Sequence, residues 1–208
     1  AYHNLGLAPR AQPLLQAAID GYLARDVGQP LDAARVLGEL AVMHSNSDED
    51  AAAVAAARRS LALRESSGGM PLHVAESLNS LGLALSTGEP GEAHAHLMRA
   101  LALRREHAGE PSVEVASTLH NLGRLERHRG DYRAAERYYR HALAQKRALG
   151  ATRDGSYAIS LAGLAMSLRE LGRLYEAVRI QLEQLEHARR LYPDGTHLAD
   201  AHNEIANT

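Results

Sequence analysis

The sequence predicts an all-α solenoid built from antiparallel helix pairs, and three observations carry this. The 208 residues include 38 Ala and 32 Leu but only 8 Val, 4 Ile and 8 Tyr, with no Phe, Trp or Cys. Ala, Leu, Arg and Glu favour helix, whereas sheets draw on β-branched and aromatic residues. The chain also resembles itself at a period of 40 to 42 residues. Finally, Gly and Pro recur at that same period, between apolar runs of helical spacing.

The punctuation has a physical reading. Gly88, Gly130 and Gly172 are spaced by 42 and 42 residues. Gly28-Gln29-Pro30, Gly69-Met70-Pro71 and Gly109-Glu110-Pro111 are spaced by 41 and 40. Gly accepts the left-handed backbone that ends a helix, and Pro suits the first turn of the next. The unit is therefore helix, tight turn, helix, short linker. Between the marks, Leu78-Asn79-Ser80-Leu81-Gly82 matches Leu119-His120-Asn121-Leu122-Gly123. Ala135, Tyr139, Ala142 and Leu143 fall at i, i+4, i+7 and i+8, a one-face helical pattern. Gly82, Gly123, Ala93, Ala100, Ala135 and Ala142 are small where helices must approach closely.

These marks give a map of one solenoid domain over 1–208. A partial unit runs over 1–27. Full units run over about 30–68, 71–108, 112–150 and 154–192, and a last helix over 196–207 begins a fifth, with boundary errors of about 2–4 residues. A single unit cannot bury its own apolar face, so neighbours must stack. The chain starts at Ala1 in mid-pattern and reads as a fragment of something longer.

The run Leu119-His120-Asn121-Leu122-Gly123, then Gly130-Asp131-Tyr132, then Ala135, Tyr139 and Ala142-Leu143 resembles the tetratricopeptide repeat (TPR) family. The long period and the linker from Gly109 to Ala116 look like the longer-helix repeats of kinesin light chains, which also occur in bacterial signalling proteins. The resemblance implies a right-handed superhelix that binds proteins. Departures are visible. Glu126 and His44 occupy a position usually apolar in the family, and Gln181 and Gln184 replace apolar residues in the fourth unit.

Other classes find little support. The 22 Arg and 1 Lys nearly balance 25 acidic residues, for a net charge of −2. That argues against a general nucleic-acid binder. The longest apolar run, Ala51 to Ala57, is too short to span a membrane. No signal-peptide pattern opens the chain, so a cytoplasmic location is expected. His94 and His96 diverge by about 200° on a helix and cannot share a metal. No His-Glu-x-x-His run, phosphate loop or nucleophile elbow occurs. The expectation is no catalytic residue, no metal, no cofactor and no enzyme.

The informative surface is the groove. In the resembled family, the first helix of each unit lines the concave face. The resemblance carries that role to Asn79, Leu83 and Ser86 in the second unit. It carries it to His120, Arg124, Arg127 and His128 in the third, and to Met166 and Arg169, with Ala162 and Glu170, in the fourth. The centre is basic and the flanks are small or apolar. Paired arginines grip a carboxylate in a planar fork. The expected ligand is a peptide or partner domain with acidic residues beside an apolar anchor. The bland alternative is that Arg124 and Arg127 pair with Glu170 or Glu126 and merely solvate the surface.

The functional reading is a non-catalytic interaction scaffold. The alternatives are a regulatory or sensing segment of a larger bacterial signalling enzyme, such as a protein kinase, or self-association through exposed solenoid ends. Nucleic acid and membrane are not expected partners.

Overall fold

The computed structural model describes residues 8–23, 30–45, 47, 49–152 and 155–191. The start of the partial unit and the helix expected over 196–207 lie outside the described residues. Among the described residues every regular element is an α-helix. None of these helices is long and apolar enough to cross a membrane. The chain divides into two compact units, Ala1–His107 and Ala108–Thr208.

The first unit holds α1 (Ala8–Leu23), α2 (Pro30–Ser45), α3 (Asp50–Ser66), α4 (Pro71–Ala84) and α5 (Pro90–Ala108). Three of these open on a proline, whose fixed φ and missing N–H suit a helix start. α3 packs on both α2 and α4. Gly82 lets α5 approach α4: a Cβ there would lie 2.6 Å from Cγ of Leu97.

The second unit holds α6 (Val113–His128), α7 (Tyr132–Ala148), α8 (Gly155–Glu170) and α9 (Leu174–Leu191). Pro111 does not open α6. Ser112 does, its hydroxyl accepting the Val115 N–H at 3.1 Å, as an N-cap should. Asp131 caps α7 in the same way, accepting from the Ala134 N–H at 2.9 Å. Gly130 and Gly172 end α6 and α8 with φ of 80° and 73°. Gly88 has no positive φ, so the longer α4–α5 turn closes without the left-handed residue its spacing suggested. Ala135, Tyr139, Leu143, Tyr157, Leu161, Leu164, Leu168 and Ala177 form the core of this unit.

Both polar intruders at the apolar position are buried and satisfied locally. His44, 5% exposed, meets the Glu49 carboxylate across the α2–α3 turn. Glu126, also 5% exposed, meets Arg129 at 3.0 Å across the α6–α7 turn. Each turn supplies the opposite partner that a buried polar group requires.

A second repeated feature is buried and polar. Arg64, Arg104 and Lys146 recur at 40 and 42 residues and are 4%, 7% and 4% exposed. Arg64 reaches from the end of α3 to the His73 carbonyl and to Glu76, at 2.8 Å, in α4. Lys146 reaches from α7 to the Ser156 carbonyl at 2.7 Å and the Ser156 hydroxyl at 2.8 Å in α8. In these two cases a cation at a helix end ties that helix to the first turns of the next. The cation also faces the negative end of its own helix dipole.

Candidate functional site

The groove positions carried over from the family fall into two separate settings. In the first unit, Asn79 is buried and already engaged within the fold. Ser86 donates its hydroxyl to the Leu83 carbonyl at 2.7 Å. Leu83 is half-buried. Little polar capacity is left there for a ligand.

The second unit differs. α6 and α8 lie against each other. Between them, the Tyr139 ring from α7 is wedged. A Cβ on Gly123 would lie 3.0 Å from the ring, and one on Gly163 would lie 2.4 Å from Cζ. The two glycines therefore leave a slot for one aromatic ring, which is 1% exposed. Burial raises the Tyr139 hydroxyl above the usual phenol range, against the pull of Arg127 and Arg124 beside it.

His120 packs edge-on to that ring, with centroids 5.4 Å apart. Its Nδ1 lies 3.0 Å from the Ser160 hydroxyl. Ser160 donates to the Ser156 carbonyl at 2.9 Å. The remaining donor in the His120 contact is therefore the His120 N–H. Burial first, then Lys146 and Arg124, push the His120 pKa down to about 4. His120 is thus a neutral, half-buried support and not a groove cation.

Serine, lysine and histidine meeting at one point invite comparison with a nucleophilic centre. The geometry opposes it. Ser160 is fully buried, its proton is committed to a carbonyl, and Lys146 reaches its oxygen at 3.3 Å as a donor. A nucleophile needs a base that accepts its proton and a path for substrate. Neither is present at Ser160.

Arg124 and Arg127 stand one turn apart on α6, both half-buried. The carboxylates that could have neutralised them are used elsewhere. Glu126 pairs with Arg129, and Glu170 lies 3.8 Å from Arg169. Among the described residues neither Arg124 nor Arg127 forms an ion pair. Burial and the Arg127 charge lower the Arg124 pKa from its ordinary value. Arg127 donates from Nη2 to Nε2 of His128 at 3.1 Å, while its buried Nε has no hydrogen-bond partner. Accepting that bond requires a neutral imidazole. Burial, then Arg127 and Arg124, hold the His128 pKa down accordingly.

α8, packed against α6, carries an apolar ledge. Met166 is 41% exposed and Ile159 is 61% exposed. Seven residues apart, they share one helix face. Ile159 escaped the sequence reading because the carried-over positions began after Leu161. Its spacing to Met166 was the available signal. Among the described residues, no three His, Asp or Glu side chains gather as a metal site would need.

Comparison with known proteins follows this geometry. Residues 74–148 match the family model described as tetratricopeptide repeat. No curated protein sequence matches the chain. The fold resembles BtubC (BKLC) from P. vanneervenii, with a TM-score of 0.78 at 20% identity, over 94% of this chain and 78% of that one. It resembles the nearly identical TPR-like repeats assigned to a kinesin light chain of Podosopora anserina, with a TM-score of 0.69 at 17% identity, over 86% and 89%. It also resembles a Rap protein complexed with competence and sporulation factor, with a TM-score of 0.73 at 19% identity, over 93% and 54%. At these identities the likeness establishes the fold, the α-solenoid of antiparallel helix pairs.

Proposed function

The chain belongs with the tetratricopeptide-repeat proteins through residues 74–148, and from that premise we propose that it is a non-catalytic interaction module. Its α6–α8 face holds a peptide segment that sets acidic residues beside an apolar side chain. The observation that carries this is the pair Arg124 and Arg127 on α6, half-buried yet without a carboxylate partner among the described residues, with α8 packed against α6 and exposing Ile159 and Met166. Proteins normally neutralise partly buried charge, so an unneutralised pair is an unmet demand. Arg169 at the next turn-end adds a cation already shared with Glu170. The Rap structure, solved with a bound factor, supports partner binding in this fold class generally.

The roles divide by chemistry. Arg124 and Arg127 supply forked donors to carboxylate oxygens. His128 holds the Arg127 fork in place through its Nε2 lone pair. Met166 and Ile159 receive the apolar side chain. The test uses an array of peptides in which Asp or Glu flanks a single Leu or Phe. The wild-type chain is compared with the Arg124→Glu, Arg127→Glu variant, and melting temperatures are measured for both. Lost binding with an unchanged melting temperature supports the reading. Equal binding by both proteins sinks it.

A further inference from the structure

We propose that the anchoring group on the partner peptide is a phosphoryl dianion carried by a modified side chain, and that partner phosphorylation switches binding on. This rests on the reading of the α6–α8 face as a peptide site and deepens it.

The reasoning concerns charge and donor count. Arg124 and Arg127 lie at i, i+3 on α6, so their Cβ atoms are about 5–6 Å apart on one face. Neither has a carboxylate among the described residues, and the Arg127 charge disfavours that of Arg124. One carboxylate carries one charge and two oxygens. It fills one guanidinium fork and offsets only one of the two positive charges. A phosphoryl group near neutral pH carries about −1.5 to −2 charges and three acceptor oxygens. It can therefore meet both forks at once.

The surroundings narrow the choice further. The Arg127 Nε–H is buried and unpartnered, so one strong donor is held dry and unused. His128 accepts from Arg127 through its Nε2 lone pair and so orients that guanidinium. The side chain facing this pair from α7 is Tyr139, which is not an anion. The exposed Ile159 and Met166 of α8, the helix packed against α6, suit the body of a peptide rather than a bare nucleotide.

The decisive experiment follows the arginine Nε–H resonances of the isotope-labelled full chain by NMR, at pH about 7.5, above the second phosphate pKa of about 6. Inorganic phosphate, N-acetyl-phosphoserine amide and acetate are titrated separately. Chloride keeps the ionic strength constant, so that screening does not differ. Phosphate and phosphoserine amide are expected to shift the Arg124 and Arg127 signals saturably, at concentrations about tenfold below acetate, with Arg169 moving less. Arg127→Gln, if folded by its melting curve, should remove the preference. The wild-type titration decides the matter even if that variant does not fold. If acetate acts as strongly as phosphate, this inference falls while the acidic-peptide reading stands. Indifference of both arginines to every anion removes both readings. A single-stranded RNA oligonucleotide that displaces phosphoserine amide at lower concentration than a phosphoserine peptide would overturn the assignment to a peptide.

Discussion

Gly163 of α8 faces Tyr139 of α7 so closely that a methyl carbon on the glycine would sit 2.4 Å from Cζ and 2.7 Å from the hydroxyl oxygen. Real Cβ atoms do not approach carbon at that range. The ring is held on its other side by Gly123, so it cannot step aside. The absence of a side chain at residue 163 therefore sets how near α8 comes to α7, and with it the position of the ledge that Met166 and Ile159 form beside α6.

Gly163→Ala should therefore destabilise the chain although alanine is the better helix former. The overpacking cost is about 1–3 kcal/mol, against a helix-propensity gain of about 1 kcal/mol. Urea unfolding of Gly163→Ala, alone and combined with Tyr139→Leu, measures it. The cost should shrink in the double variant, because a smaller side chain leaves room for the methyl. An equal cost in both backgrounds would place the strain elsewhere.

Lys146→Met should weaken the second unit. The substitution keeps the apolar stem but removes the ammonium that reaches Ser156 and Ser160. Losing hydrogen bonds from a charged donor costs about 1.5–3 kcal/mol. Hydrogen exchange should report the loss first in the opening turn of α8. If protection there is unchanged, the lysine is not the tie between α7 and α8.

Glu126→Leu and Arg129→Ala should act in opposite directions. Glu126 is buried and tied to Arg129 at 3.0 Å, where the repeat pattern normally has an apolar residue. Replacing a buried ion-pair member by a hydrophobe of similar volume is often neutral or stabilising by about 1–4 kcal/mol, whereas removing only its partner destabilises. Thermal unfolding of the two single variants decides it. A melting temperature lowered more by Glu126→Leu than by Arg129→Ala would show that the carboxylate serves more than its turn.

Stability should fall as pH drops from about 6.5 to 4. The folded pKa of His120 is pushed down to about 4 from an ordinary 6.5. Between those values the unfolded chain binds the proton and the folded chain does not. The contribution is complete above pH 6.5 and lost progressively as pH falls toward 4, amounting to up to about 3 kcal/mol. His128, also lowered, acts in the same direction. Chemical denaturation across this window, compared between wild type and His120→Gln, isolates the first group. Parallel pH profiles would rule out His120 as the source.

Arg124→Gln should raise stability slightly while weakening ligand binding. The substitution removes a cation that burial and Arg127 both disfavour. The gain expected from relieving such a like-charge pair on a helix is about 0.2–0.5 kcal/mol. A stability loss instead would mean the guanidinium packs as part of the fold.

The sequence by itself determined the helical class, the period and the helix punctuation. Composition and spacing are local properties, and Pro30, Pro71, Gly130 and Gly172 act on their own backbone within a turn or so. The apolar pattern 135, 139, 142 and 143 likewise fixed the face on which Tyr139 is buried. Pairing was decided only by the tertiary structure. Glu126 lies one residue from Arg127 and three from Arg129, and the helix direction gives it to Arg129. That choice, together with Glu170 going to Arg169, leaves Arg124 and Arg127 without a carboxylate among the described residues. The buried cations at 64 and 146 were equally present in the sequence. Charged residues there look like solvated surface until the start of the next helix is brought over them. His120 changed most. Its place on the α6 face followed from spacing, but its neutrality came from burial first and then from the charge of Lys146, 26 positions away, and of Arg124. Charge state depends on solvent exclusion and neighbouring charge, which chain order does not specify.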